Sequence, residues 1–347
     1  MHWVARSVAL GLVLVLAVAT AVGYTYLNSA LEPTAPERDE AVMVQVKSGM
    51  NSRQLAHELH DQGLIANAWG FHLLSRWRGV DGQMQAGWYN LRYSMSAEEI
   101  LKRIVSGETA NKRFTIPEGL TAEQVVDTLV HQEMGKSHVF EELLSARERI
   151  EEFLPEDYGP GPVCDKFDRP KTPLEGYLLP GTYEVSWGAT EEEVLSRLVD
   201  ATIAIWTEDR LQRAEKLDLS IHEVLTLASI VEREAQADEE RPVIASVFLN
   251  RLDIGMKLDA CATVAYILGE AGRNITTEET LLDTPYNTYK YGGLPPGPIA
   301  NPGIESIDAV LNPASTRYLY FVSRGDGTHA FSENYQQHLQ KVDKYQR

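Results

Sequence analysis

Apolar residues along this chain follow two rhythms, a short alternation of period two and a spacing of three and four, and the pair recurs. Val44 and Val46 alternate with polar neighbours, a turn holding Gly49 follows, and Leu55 and Leu59 then keep helical spacing behind a capping Asn51. Tyr89 to Ile104 repeats this order, with Ser94 in place of the turn glycine, Ser96 as cap and Ile100, Leu101 and Ile104 on the helical face. Phe114 to Leu129 repeats it again, with Thr121 as cap and Val125, Val126 and Leu129 in line. Each copy predicts a strand, a turn and a helix whose first purpose is packing.

Further along, 139–153 reads as an acidic surface helix, and 154–173, with five prolines, as an irregular connector. Helices are predicted near 190–208, 220–236, 240–253 and 304–311, and a hairpin from Tyr318–Val322 and Thr328–Phe331 around the turn Arg324–Gly327. The helix over 220–236 has a wide apolar arc from Val224 to Ala235, so it is expected to be buried. Glu232 and Glu234 stand at opposite borders of that arc. A carboxyl beside apolar packing loses hydration, its pKa rises, and it can then act as a general acid at neutral pH. Periodicity does not choose between the two, and either can equally be a salt-bridging rim residue. Arg251, near the end of the next helix, reads as the partner of a carboxylate or as a helix-terminal charge.

Ser7 to Tyr26 carries no charge over 20 residues, the length of helix that crosses a bilayer core. Arg6 precedes the run and the next basic residue is Arg38, which orients a single span with a cytoplasmic N-terminus and the body outside. A cleaved signal peptide, with Ala19 and Ala21 near the cut, is the competing reading. The proline- and acid-bearing stretch 28–41 reads as an extended tether.

Composition narrows the function. The 347 residues hold 32 Lys+Arg against 50 Asp+Glu, a net charge of −18, which repels a phosphate backbone and argues against nucleic acid as a partner. Two cysteines, Cys164 and Cys261, exclude a disulfide scaffold and a multi-cysteine zinc module, and outside the cytoplasm they are allowed to pair. The stretch 285–303 is too rich in Pro and Gly for helix or central strand. Its Tyr286, Tyr289, Tyr291, Asn287 and Asn301 offer stacking faces and neutral hydrogen bonds, the groups that hold uncharged sugars. His329 alternates with apolar neighbours and is placed to face a cleft or to pack.

Two resemblances add to this. Residues 42–106 resemble, in arrangement, a LysM-like module, a fold that often binds wall glycans; Trp88 and Tyr89 would then be stacking aromatics or core residues. The whole chain resembles the YceG-like family, the endolytic murein transglycosylases of the MltG type. Five segments in order carry that resemblance: Leu227–Glu234, Ala245–Leu252, Tyr286–Tyr289, Gly293–Gly297 and His329–Phe331. The family's pattern makes its second glutamate the catalytic acid, here Glu234. The resemblance implies an enzyme, a carbon–oxygen lyase that cleaves nascent peptidoglycan strands internally, leaves 1,6-anhydro-N-acetylmuramic acid ends and stops their elongation. It implies no metal and no organic cofactor, and glycan strands, the membrane and, by analogy, peptidoglycan synthases as partners. Tyr286, Asn287, Tyr289 and Asn301 are the candidates for holding glycan, with His329 and Glu232 behind them. The chain departs from the family at Cys261–Ala262, where an acid and a proline are common, and at Gly181, where an aspartate is common. A water-using muramidase and a non-catalytic wall-binding protein are the alternatives.

The expected architecture is therefore α+β: a cytoplasmic 1–6, a transmembrane helix over 7–27, a tether over 28–41, a small LysM-like strand–helix module over 42–110, a second strand–helix unit and connector over 111–173, and a larger mixed α/β catalytic domain over 174–347. The protein would sit in the inner (plasma) membrane with its body in the periplasm or its equivalent.

Overall fold

The computed structural model describes Thr25 and residues 29–145, 172–269 and 275–346. The expected membrane span apart from Thr25, most of the proline connector and Cys164 lie outside the described residues. Among the described residues no helix is long and apolar enough to cross a membrane. The chain divides into two compact units: the first runs to Lys112 and adds Glu184–Gly188, and the second takes Arg113–Tyr183 and Ala189 onward. The fold is mixed α/β with small two-stranded sheets.

In the first unit β1 (Ala41–Val46) pairs antiparallel with β2 (Gly87–Arg92), with Val44 opposite Tyr89 and Val42 opposite Leu91. Helices α1 (Ser52–Asp61), α2 (Ala68–Trp77) and α3 (Ala97–Ser106) complete it. Val44, Val46, Leu55, Leu59, Phe71, Tyr89, Leu91, Ile100 and Ile104 form one core. The alternation and the helical spacing point the same side chains inward, so the two repeats share that core. Asn51 and Ser96 close capping boxes with Gln54 and Glu99, each worth about 1 kcal/mol. Tyr89 is fully buried and its hydroxyl donates to the Gln85 carbonyl at 2.8 Å, so it is a core aromatic and not a sugar platform.

The stretch read as a tether is packed along much of its length. Ala30 is 7% exposed, Thr34 Oγ1 donates to the Gly63 carbonyl at 2.8 Å, and the Ala35 amide donates to the Tyr93 carbonyl at 3.2 Å. Ala30 and Leu31 are apolar enough to join the unit's core, which the surrounding prolines and acids obscure in the sequence.

The third repeat belongs to the second unit for most of its length. Its strand β3 (Asn111–Ile116) pairs with β4 (Gly181–Ser186), about 65 residues on. Its helix α4 (Ala122–His131) is capped by Thr121 and followed by α5 (Ser137–Ser145). The helix expected over 190–208 is α6 (Glu191–Ala204), and Thr207 caps a further helix, α7 (Glu208–Lys216), beyond it. A Thr–Glu pair there starts a new helix, a signal that the apolar spacing masks.

Helix α8 (Ile221–Glu234) runs through the middle, with every residue from Ile221 to Val231 buried except Glu223. It packs against α9 (Arg241–Asp253), α10 (Cys261–Leu268) and α11 (Ile304–Leu311). The hairpin β5 (Tyr320–Ser323) and β6 (His329–Ser332) and helix α12 (Tyr335–Tyr345) close the unit. Arg251 is 7% exposed, and its guanidinium donates to the carbonyls of Leu319, Lys257 and Leu258 and reaches Asp259 at 3.3 Å. It is a buried clasp between segments rather than a surface charge.

Candidate active site

The last turn of α8 sends three consecutive charged side chains three ways, because successive residues on a helix point about 100° apart. Glu232 turns to the start of α11, where its carboxylate accepts from the Gly303 amide at 3.2 Å and the Ser306 hydroxyl at 2.7 Å, with Arg241 at 3.6 Å. Arg233 donates to the Gly119 carbonyl at 3.0 Å. Glu234 turns to a cavity of about 950 Å³. The wall also holds Thr121, Glu175, Cys261, Tyr266, Tyr286, Ile299 and His329.

The Glu234 carboxyl is packed in protein, and this burial raises its pKa above the ordinary carboxylate value. Three influences oppose the rise: the Ala262 amide donates to Oε1 at 3.1 Å, and the charges of His329 and Arg233 lie nearby. Ala262 stands in the first turn of α10, where free amides point outward. With Oε1 engaged by that amide, Oε2 is the oxygen left to carry a proton.

His329 is 5% exposed and is held at two points by one carboxylate. Glu240 accepts from the His329 backbone amide at 2.9 Å and from ring Nδ1 at 2.7 Å. A carboxylate can only accept there, so Nδ1 carries the hydrogen and Nε2 is the ring nitrogen available to the cavity.

The proline-rich loop is pinned to α8 by two side chains. His222 Nε2 donates to the Pro296 carbonyl at 2.9 Å while Nδ1 accepts from Tyr177 Oη at 2.8 Å, and burial keeps that ring neutral by lowering its pKa. Ser229 Oγ accepts from the Ile299 amide at 3.0 Å. These contacts bring Tyr286 to the wall that carries Glu234 and His329, its ring 5.3 Å from that of Tyr266. Tyr289 lies beside the cavity, its hydroxyl 3.0 Å from the Cys261 thiol.

Three residues expected to hold sugar are turned into the scaffold. Asn287 is fully buried, and its amide donates to the Thr280 and Leu282 carbonyls. Asn301 is fully buried too: its Oδ1 accepts from the Leu178 amide at 2.8 Å and its Nδ2 donates to the Leu120 carbonyl at 3.0 Å. Glu232 is spent on α11. Asparagine in a loop has the same look in sequence whether it binds a ligand or its own backbone, and only the fold separates the two.

Glu175, like Glu240, is a group that the sequence reading missed. It is 3% exposed, accepts from the Ala122 amide at 2.9 Å and faces Tyr266 Oη at 3.3 Å. Burial pushes its pKa to about 8. Its signal was a lone acid in the apolar run Leu174–Leu179. A carboxyl that folds protonated gives stability that is complete below its unfolded pKa, near 4.5, and is lost as pH climbs to about 8. Thermal denaturation should show Tm falling between pH 5 and pH 8, and Glu175→Gln, neutral at every pH, should remove most of that slope. An unchanged slope would reject a protonated Glu175.

A two-unit α/β fold with a carboxyl-lined cavity at the end of a buried helix defines the class of protein. The chain belongs to the YceG-like family, whose model matches residues 44–344. A Bacillus subtilis (strain 168) protein named endolytic murein transglycosylase is 32% identical over 326 residues, covering 93% of this chain and 89% of that protein. A Streptococcus pneumoniae (R6) protein of the same name is 30% identical over 345 residues; the match takes 93% of this chain but 62% of that longer protein. A crystal structure of a yceG-like protein from Listeria monocytogenes is 32% identical with a TM-score of 0.60, covering 87% of this chain and 99% of the other.

Proposed function

We propose that this chain is an endolytic murein transglycosylase, with Glu234 as its acid. One observation carries the reading: a half-buried carboxyl of raised pKa lies on the wall of a cavity wide enough for sugar residues, beside the proline-rich loop. The names of the relatives supply the substrate class. Glu234 Oε2–H gives its proton to the oxygen joining N-acetylmuramic acid to N-acetylglucosamine, and the C1–O bond breaks with oxocarbenium-like charge at C1. The carboxylate so formed is stabilised by the Ala262 amide and the nearby Arg233 and His329. It then takes the proton of the muramic acid C6 hydroxyl as that oxygen bonds to C1, which closes the 1,6-anhydro ring and restores the acid. One carboxyl used twice suffices, whereas a hydrolase ordinarily needs two. Glu175, a deeply buried carboxyl on the same wall, is engaged by Ala122 and Tyr266. Mass spectrometry of the products from uncrosslinked glycan strands decides between the routes: anhydro ends support this one, and reducing ends would assign a muramidase.

Tyr286 and Tyr289 supply stacking surface, and His329 Nε2 supplies a hydrogen-bonding contact to the sugar at the cleaved bond. His329→Ala should lower kcat/KM about ten- to a hundredfold, or roughly 1.4–2.7 kcal/mol of transition-state stabilisation. Glu240→Ala should reproduce much of that loss by freeing the ring. Steady-state rates on a defined strand check both, and wild-type kinetics in His329→Ala would remove it from the site. The first unit is LysM-like in this reading, residues 7–27 are a single membrane span with the N-terminus in the cytoplasm, and the placement beside the membrane suits cooperation with peptidoglycan synthases. The uncharged run and the strand–helix repeats support these assignments.

A further inference from the structure

Helix α2 turns a tryptophan-rich face outward. Trp69 is 62% exposed, Leu73 36% and Trp77 77%. Steps of four stack the three side chains along one side of the helix, while Gly70, Phe71, Leu74 and Ser75 are buried on the other. Large aromatics are seldom left in water, and together on one face they mark a contact surface.

Two features say what covers it. The first is where the chain enters. Ala30 packs on this same helix: a Cβ placed on Gly70 would lie 3.6 Å from Ala30 Cβ. The uncharged run ends at Tyr26, four residues earlier, and four residues reach at most about 14 Å. The polar layer on each side of a bilayer core is itself roughly 5–7 Å thick. The second is charge. From Gln62 to Val80 there is no Asp or Glu, but there are Arg76 and Arg78, in a chain of net charge −18. Arg78 stacks over the Trp77 ring, 5.2 Å from its centroid, and pairs with Glu98, which leaves Arg76 as the cation on this stretch.

We propose that Trp69, Leu73 and Trp77 insert into the headgroup layer of the membrane that anchors the chain, seating the first unit on an anionic phospholipid surface. Tryptophan favours that layer, where the ring is apolar and the indole N–H stays wet, and Arg76 meets acidic headgroups. The inference rests on reading residues 7–27 as a membrane span. It replaces the free tether of the sequence analysis with a docked unit.

The test uses the full chain in nanodiscs of phosphatidylcholine and phosphatidylglycerol, with and without lipids brominated near the headgroup end of the acyl chain. Wild type should lose tryptophan emission to the bromolipid. Trp69→Ser/Trp77→Ser should cut that loss to about a third, with Trp3 before the span remaining as an interfacial donor. Because both positions are exposed, the double variant should keep its Tm. Equal quenching in the two proteins, with the chain stably inserted, would overturn the docking and leave the span intact. Full extraction of the chain by alkaline carbonate would overturn both. A change in Trp69 and Trp77 emission on adding glycan strands, without a bromolipid effect, would assign the face to wall polymer and overturn the proposal.

Discussion

Glu234→Gln should abolish the formation of anhydro-ended products, with kcat down by at least about 10³-fold and no loss of Tm. Gln keeps the shape and the acceptor for the Ala262 amide, but it can neither give a proton to the leaving oxygen nor take one from the C6 hydroxyl. General acid and base catalysis contributes on the order of 10²–10⁴ per step, and one residue serves both steps here. The pH profile gives a second readout. Burial holds the acid form above the ordinary carboxylate range, so the alkaline limb of kcat should lie above that range. Arg233, His329, Cys261 and Tyr289 are titratable or charged groups that interact with the carboxyl. Activity is present while Glu234 is protonated and falls as pH rises through its pKa. Product analysis of the purified variant checks the assignment, and abundant anhydro ends from Glu234→Gln would move the acid elsewhere.

Asn301→Ala should behave in the opposite way, with a large loss of stability and little change in substrate affinity per folded molecule. The side chain reaches three partners on two segments: the Leu178 amide and Glu175 Oε1 at 3.3 Å on one, and the Leu120 carbonyl on the other. Its backbone adds two more links, from its own amide to the Leu120 carbonyl and from the Gly119 amide to its carbonyl. Truncation strands buried polar groups, each costing about 1–3 kcal/mol, so a net loss of roughly 2–4 kcal/mol is expected. At about 2–4 °C per kcal/mol for a unit of this size, Tm should fall by roughly 5–15 °C. Asn301→Asp keeps the acceptor for Leu178 but sets a carboxyl against Glu175, so its deficit should grow with pH as the pair ionises. A raised KM with an unchanged Tm in Asn301→Ala would restore the sugar-holding role expected from sequence.

The sequence marked these two residues unequally well. Helix spacing placed Glu232 and Glu234 at the borders of the α8 apolar arc and could go no further. The structure separates them by what lies opposite: the amides and hydroxyl at the start of α11 for Glu232, and a cavity for Glu234. Asn287 and Asn301 were read as ligand groups because a loop with fixed φ angles and amide side chains can serve a ligand or its own backbone. Glu175 and Glu240 were passed over, since neither has a neighbour in sequence that shows its role. Each matters through a partner far along the chain, Ala122 and Tyr266 for one and His329 for the other.

By itself the sequence determined the strand–turn–helix repeats, the caps at Asn51, Ser96 and Thr121, the buried helix and the family, because these depend on residues close together or on ordered motifs. Tertiary structure alone decided that the third repeat pairs with β4, that residues 30–39 lie on the first unit, that two asparagines are scaffold, and that Trp69, Leu73 and Trp77 share an open face. The physical reason is range. Backbone propensity and capping act within about one helical turn, whereas burial and hydrogen-bond partnership depend on which distant segments meet, and local pattern carries no record of that.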